Sequence, residues 1–156
     1  MTSPKLDTPL RTMLEAALDS CFRNATSRRD VLRFLDAVRI PVIVTDSSRG
    51  PSGPHTLFVN EAMCEMCAYA RQDMLGRSPR MLQGPETDLA RARAFRDELE
   101  AEGRATVRLT NYRGDGRPYQ VLIRAGTLDL GTRLDEQLRI AFETEVADGQ
   151  ARELHA

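Results

Sequence analysis

The sequence predicts an α+β fold, and three observations carry that prediction. Strand-like segments come first as a pair, short helical segments follow, and three more strands close the order. A parallel sheet would need a helix between successive strands, so this order implies an antiparallel sheet of five strands with the helices gathered on one face. The length of 156 residues suits one compact domain with short tails and is too short for two.

Each element follows from local pattern. Leu10, Met13, Leu14, Ala17, Leu18 and Cys21 recur at steps of three and four, the stripe of an amphipathic helix. Val31, Leu32, Phe34, Leu35 and Val38 continue it beyond a polar break from Asn24 to Asp30, where Ser27 or Asp30 suits the cap of a second helix. The period then changes. Ile40 to Asp46 is a short β-branched run, Ser47 to Pro54 is rich in turn residues, and Thr56 to Val59 returns as the second strand of a hairpin with a long connection.

Asn60 opens a helix over Glu61–Ala68 with Met63, Cys64, Met66 and Cys67 on one face, and Gln72–Leu75 forms a further turn ending at Gly76. Glu86–Glu102 is rich in helix formers, with Leu89, Ala92, Phe95 and Leu99 as its expected buried stripe and Gly103 as its stop. Ala105–Thr110 and Pro118–Ile123 alternate on either side of the turn sequence NYRGDG, predicting a second hairpin, and Leu138–Val146 supplies a fifth strand. The expected division is a helical cap over 1–38, the main domain over 39–146 and a polar tail over 147–156.

Composition excludes several classes of function. Lys and Arg total 22 against 23 Asp and Glu, so no global positive field attracts nucleic acid or anionic lipid. Tryptophan is absent and aromatic residues make up 5%, which disfavours a stacking platform for single-stranded nucleic acid. No apolar run has the length of a membrane-spanning helix and the N-terminus lacks a signal pattern, so the expected location is cytoplasmic, with no membrane insertion. Cys21, Cys64 and Cys67 are an odd count and are expected as reduced thiols. Cys64 and Cys67 form CxxC, but zinc wants four ligands and the only histidines are His55 and His155. Asp46 and Glu143 make no recognisable acid/base pair, and Ser47 and Ser48 lack a nucleophile elbow, so the chain is not expected to be an enzyme.

One stretch is more specific. GRSPRMLQGPETD at 76–88 resembles the flavin-binding signature GRNCRFLQGPETD of the LOV branch of the PAS family. FVNEAMCEMCAY at 58–69 and NYRGDGRPYQVLI at 111–123 resemble two further family motifs, so the resemblance spans roughly 40–146 and implies a PAS/LOV-like five-stranded sheet with short helices and an N-terminal helical extension. In the photoreceptors of this family a cysteine of the signature adds to photoexcited flavin. Here that position is Pro79, and the resemblance therefore implies that the photochemistry is lost.

Carried over residue by residue, the resemblance assigns Arg80 and Arg96 to the flavin phosphate, and Gln83 and Asn111 to further flavin contacts. Ser78 and Val121 stand where the family has asparagines, and Glu143 stands where it has a glutamine that relays the light signal. Guanidinium forks pair with phosphate oxygens, whereas valine offers no hydrogen bond and an ionised carboxylate only accepts. Each lost pair is expected to lower FMN affinity by roughly one to two decades. Arg80 and Arg96 have a plainer reading as surface charges, Arg96 pairing with Glu100 at helical spacing. Met81, Leu82 and Phe95 read either as cavity lining or as ordinary core, with Met81 partly filling a vacated cavity.

The expected function is a PAS sensory and protein-interaction module in signal transduction, without cysteinyl-flavin photochemistry and with no cofactor. The alternative is a flavin-binding redox sensor that retains FMN through Arg80, Gln83, Arg96 and Asn111. The family implies another signalling protein as partner, a histidine kinase or response regulator, and a homodimer through the flanking helices.

Overall fold

The computed structural model describes residues 28–128 and 137–147. The expected first helix over Leu10–Cys21, with Cys21 itself, lies outside them, as does the tail beyond Ala147. Two compact units are distinguished, Met1–Ala37 and Val38–Ala156. In the first, helix α1 spans Arg28–Ala37; it begins ahead of Asp30, so Asp30 lies inside the helix and does not cap it.

The second unit holds β1 (Val42–Thr45), β2 (Thr56–Val59), α2 (Glu61–Cys67), α3 (Arg71–Met74), a 3-10 turn (Pro79–Leu82), α4 (Leu89–Glu102), β3 (Arg104–Tyr112), β4 (Pro118–Leu128) and β5 (Leu138–Glu145). The five strands form one antiparallel sheet in the order β2-β1-β5-β4-β3. The last strand in sequence is thus the central one. Its register sets Arg139, Ala141 and Glu143 opposite Thr45, Ile43 and Ile123 respectively, and period-two alternation puts all of them on the face that carries the helices. The second hairpin is longer than alternation alone predicts, because β3 runs through Asn111 and Tyr112 and the turn proper is Arg113–Gly116.

Asn60 knits this unit together. It is fully buried and its side-chain oxygen accepts from the N–H of Val42 at 2.9 Å and of Met63 at 3.0 Å, while its amide donates to the carbonyls of Val38 at 3.1 Å and Ile40 at 2.8 Å. One side chain therefore caps α2, fixes the start of β1 and holds the approach to it.

Apolar burial follows two clusters on the helix-bearing face. Ile43, Val59, Met63, Cys67, Met74 and Leu82 form one; Ala92, Val107, Leu109, Tyr119, Val121 and Ile123 form the other. The expected stripe of α4 needs one correction. Asp88 caps the helix by accepting from Arg91 N–H at 3.0 Å, which makes Leu89 its first residue, 57% exposed, while Ala92 and Leu99 are buried. Met81 packs against the first cluster, so its role is core.

Two loops are pinned by specific contacts. Gly114 N–H donates to the carbonyl of Cys67 at 2.9 Å, and a Cβ at Gly114 would lie 2.2 Å from the carbonyl oxygen of Ala68, so only glycine lets the hairpin approach the end of α2. In the long β1–β2 connection, Asp46 accepts from the backbone N–H of Ser48 and His55 at 3.1 and 2.8 Å. Burial opposes ionisation there, but these bonds and those to the Ser48 and His55 side chains outweigh it and hold the carboxyl down at about 2. Both Ser48 Oγ and Asp46 Oδ2 approach the same ring nitrogen, Nδ1 of His55, at 3.2 and 2.9 Å. A nucleophile–base–acid relay uses both ring nitrogens, so this trio is a loop staple. Among the described residues no helix is long and apolar enough to cross a membrane.

Replacing Asn60 by Ala removes a cap and leaves the Val42 N–H and the Val38 and Ile40 carbonyls without their partner. The expected cost is about 3 kcal/mol, read as a lowered midpoint in urea unfolding at unchanged slope.

Candidate functional site

Between the sheet and the segment from the 3-10 turn to α4 lies a cavity of about 120 Å³. Its floor is small and apolar, with Ala141 and Ala125 paired across β5 and β4, and Ile43, Leu82, Phe95 and Leu109 close around them. The GPET turn positions one wall. Thr87 Oγ1 donates to the Thr110 carbonyl at 2.6 Å and accepts from Gly84 N–H at 2.9 Å, and Tyr112 Oη accepts from Glu86 N–H at 2.9 Å. A Cβ at Gly84 would lie 2.4 Å from the Tyr112 ring, so glycine at this place lets the turn lie on the strand and aims Gln83 at the cavity.

The polar residues sort to two ends. Arg80, Arg96 and Arg139 line the cavity, and none of the three side chains makes a hydrogen bond or ion pair among the described residues. Desolvation above all, and then the nearby charges of Arg80, Arg93 and Arg139 against that of Asp97, weaken the hold of Arg96 on its proton. Glu143 lies at the other end, buried, with Oε2 lacking any hydrogen-bond partner among the described residues. Burial pushes its carboxyl up to about 7. The nearby hydroxyl of Tyr119 is also buried and lacks an ordinary hydrogen bond among the described residues, and the Arg113 guanidinium lies 4.4 Å over its ring.

Comparison with known proteins decides the family. The family profile described as PAS domain matches residues 41–143. Phototropin-1A of Oryza sativa subsp. japonica is 35% identical over 100 residues, which are 63% of this chain and 11% of that protein. Blue-light-activated histidine kinase 1 of Erythrobacter litoralis is 31% identical over 118 residues, 76% of this chain and 32% of the kinase. A solved structure titled for a flavin analogue and the light-oxygen-voltage domain mechanism superposes with a TM-score of 0.68 at 26% identity, covering 80% of this chain and 90% of that one. The chain is a PAS domain of the LOV branch. The LOV domain is a sensory module of signalling proteins, and this chain spans a third or less of the length of the two curated relatives named. The LOV domain of the blue-light-activated histidine kinase of Erythrobacter litoralis, at 21% identity and a TM-score of 0.62, shares the fold.

The LOV resemblance named eight positions, and the structure brings seven of them to one cavity. Arg80, Gln83, Arg96, Asn111, Ser78, Pro79 and Glu143 all line it. Val121 does not: it is fully buried among Leu109, Tyr119 and Ile123, where an apolar side chain is at home. Arg96 does not pair with Glu100, since Glu100 meets Arg49 instead. Leu82 and Phe95 line the cavity while Met81 does not. Ser78 caps the 3-10 turn, its hydroxyl accepting from Arg80 N–H at 3.3 Å, and Pro79 occupies the first position of that turn, where a missing N–H costs nothing.

Sequence reading missed Arg139 and the alanine floor. Alternation was signal enough, because Glu143 assigned to the ligand face places Ala141 and Arg139 there too. Among the described residues no cysteine lines the cavity. Cys67 is core, its thiol 3.6 Å from Met74 Sδ and pushed up to about 11 by burial, and Cys64 lies in a separate surface groove.

The raised carboxyl of Glu143 has a sign. The folded state binds this proton more tightly than the unfolded chain, whose carboxyl titrates near 4.5. Its contribution therefore lowers stability as pH rises from about 4.5 to 7, by about 3 kcal/mol in all. Glu143→Gln is expected to remove that decline, making the protein more stable at pH 8 and flattening the dependence of urea-unfolding free energy on pH between 5 and 8.

Proposed function

We propose that this chain is a sensory and protein-interaction module that signals without cysteinyl-flavin photochemistry. The observation that carries the reading is the cavity wall itself, with Pro79 at the family's cysteine position and no thiol among the described lining residues. The cavity of about 120 Å³ is also smaller than the roughly 300–1,000 Å³ of typical small-molecule pockets, which favours a module working without a bound cofactor. The activity on this reading is binding and relay, as in a sensory LOV domain. The kinase relatives support a histidine kinase or response regulator as the partner, with the chain acting as a homodimer in the cytoplasm. On this reading the chain divides functionally into a helical cap over 1–38, the sensory domain over 39–146 and a tail over 147–156.

A second reading is a flavin-binding redox sensor, and a specific observation favours it. Three guanidiniums without ion-pair partners among the described residues line one cavity, and such groups fit a phosphate. FMN would be held at that end by Arg80 and Arg96, with Gln83 and Asn111 along the wall, and would supply electron-transfer chemistry. At the Glu143 end the fit fails, since an ionised carboxylate offers no donor to an unprotonated ring nitrogen or a carbonyl oxygen.

Both readings meet in one measurement, the visible spectrum of the protein after incubation with excess FMN, before and during blue illumination. A colourless protein supports the cofactor-free module. A flavin band that survives illumination supports the redox sensor. Reversible bleaching into an adduct would overturn both, and Pro79→Cys is expected to show such bleaching only where the parent protein binds flavin.

A further inference from the structure

The CxxC pair of α2 lines no part of the cavity and belongs to neither reading of it. Cys64 and Cys67 stand three residues apart in the C-terminal half of the helix, so they share a face. Both pack into one apolar cluster with Met63 and Met74, Cys67 fully buried and Cys64 half-buried. Cys64 also lines a surface groove with Glu61, Glu65, Tyr69 and Arg71, so a small solute reaches it from the solvent side. The Cys67 sulfur lies 3.9 Å from the Cys64 carbonyl oxygen. It is therefore turned back along the helix, toward the turn that carries the other thiol.

We propose that Cys64 and Cys67 form a peroxide-responsive dithiol, in which Cys64 reacts first and Cys67 closes a disulfide. In the first step the Cys64 thiolate attacks one peroxide oxygen, the O–O bond breaks, and the sulfur becomes a sulfenic acid. The other oxygen leaves as hydroxide and takes up the proton that the thiol gave. In the second step the Cys67 sulfur attacks the sulfenic sulfur, the S–O bond breaks, and the hydroxyl leaves as water with the Cys67 proton. The two sulfurs give up two electrons, and one peroxide becomes two waters. Access sets the order. Burial pushes the Cys67 thiol up to about 11, which shields it from direct oxidation while Cys64 is met from the groove. In the second step proximity offsets that weak acidity, because a group held beside the reacting atom acts at high effective concentration.

Closure reshapes the helix end. Side chains three apart on a helix have Cβ atoms about 5–6 Å apart, and a disulfide brings them to about 3.5–4.5 Å, so the last turn tightens. That turn is where the β3–β4 hairpin is fastened. Gly114 N–H donates to the Cys67 carbonyl at 2.9 Å and the Arg113 guanidinium to the Met66 carbonyl, while Arg113 also pairs with Glu145 of β5 at 2.5 Å. Oxidation thus loosens the hairpin from α2 and carries the change to the end of the central strand.

The test treats the full chain carrying Cys21→Ser with hydrogen peroxide at pH 8 and maps it by mass spectrometry. The tryptic peptide 50–71 holds both thiols. It is expected to become lighter by two hydrogens, to stop reacting with iodoacetamide, and to recover on reduction with dithiothreitol. With Cys67→Ser added, Cys64 is expected to stop at the sulfenic acid and take up dimedone; with Cys64→Ser added, Cys67 is expected to stay reduced. Amide exchange at Gly114 is expected to quicken about tenfold in the disulfide form. A peptide 50–71 left unchanged by peroxide, or a Cys64 sulfinic acid beside an intact Cys67 thiol, overturns the dithiol. That measurement keeps both thiols in place, so it decides the proposal even where a core variant fails to fold. Oxidation of Cys67 in the Cys64→Ser chain overturns the order of reaction, and unchanged Gly114 exchange in the disulfide form overturns the link to the hairpin.

Discussion

The fold turns on the side chain of Asn60. An amide has two acceptor positions and two donors, and here it reaches two backbone N–H groups and two carbonyls on two separate stretches of chain, 38–42 and the start of α2. Those bonds set where β1 begins, and in a sheet a slip of one residue would send every side chain to the other face. With β1 in place, Ile43 and Thr45 point inward, β5 pairs so that Ala141 and Arg139 stand opposite them, and Glu143 follows two residues on. The position of the polar ends of the cavity therefore descends from a cap at the start of a seven-residue helix.

The elements were legible because each had a local cause. The β-branched run at Val42–Thr45, the turn chemistry of Arg113–Gly116 and the glycine stop at Gly103 all act within a few residues of themselves. Tertiary facts were less so. The central place of β5 follows from non-local pairing, which no window of sequence contains. Leu89 reads as a member of an apolar stripe, but the cap at Asp88 sets the helix phase and leaves it outside. At the candidate site, motif resemblance placed seven residues on the cavity. Arg139 was missed because it lies outside any motif, although the alternation of its strand pointed to it.

Departures from the LOV pattern differ in how the structure absorbs them. Val121 stands where the resemblance has a polar side chain, and it packs fully into its cluster with no polar group of its own to satisfy. Glu143 does the reverse, placing a charge-bearing group where no described neighbour satisfies it. Natural domains tend to violate local rules at functional positions and compensate elsewhere. An uncompensated buried carboxyl facing a cavity is a violation of that kind, whereas a buried valine is ordinary core.

The placement of Tyr119 has an optical consequence. The chain contains three tyrosines and no tryptophan, so its near-ultraviolet signal comes from a few rings in known surroundings. Tyr112 is fixed by its bond from Glu86, while Tyr119 sits buried under Arg113 and in the electrostatic field of Glu143. A proton gained or lost at Glu143 changes the field at that ring with no indole background to mask it. The domain thus carries a built-in chromophore beside its most unusual residue, able to report the charge of the cavity without a dye or a label.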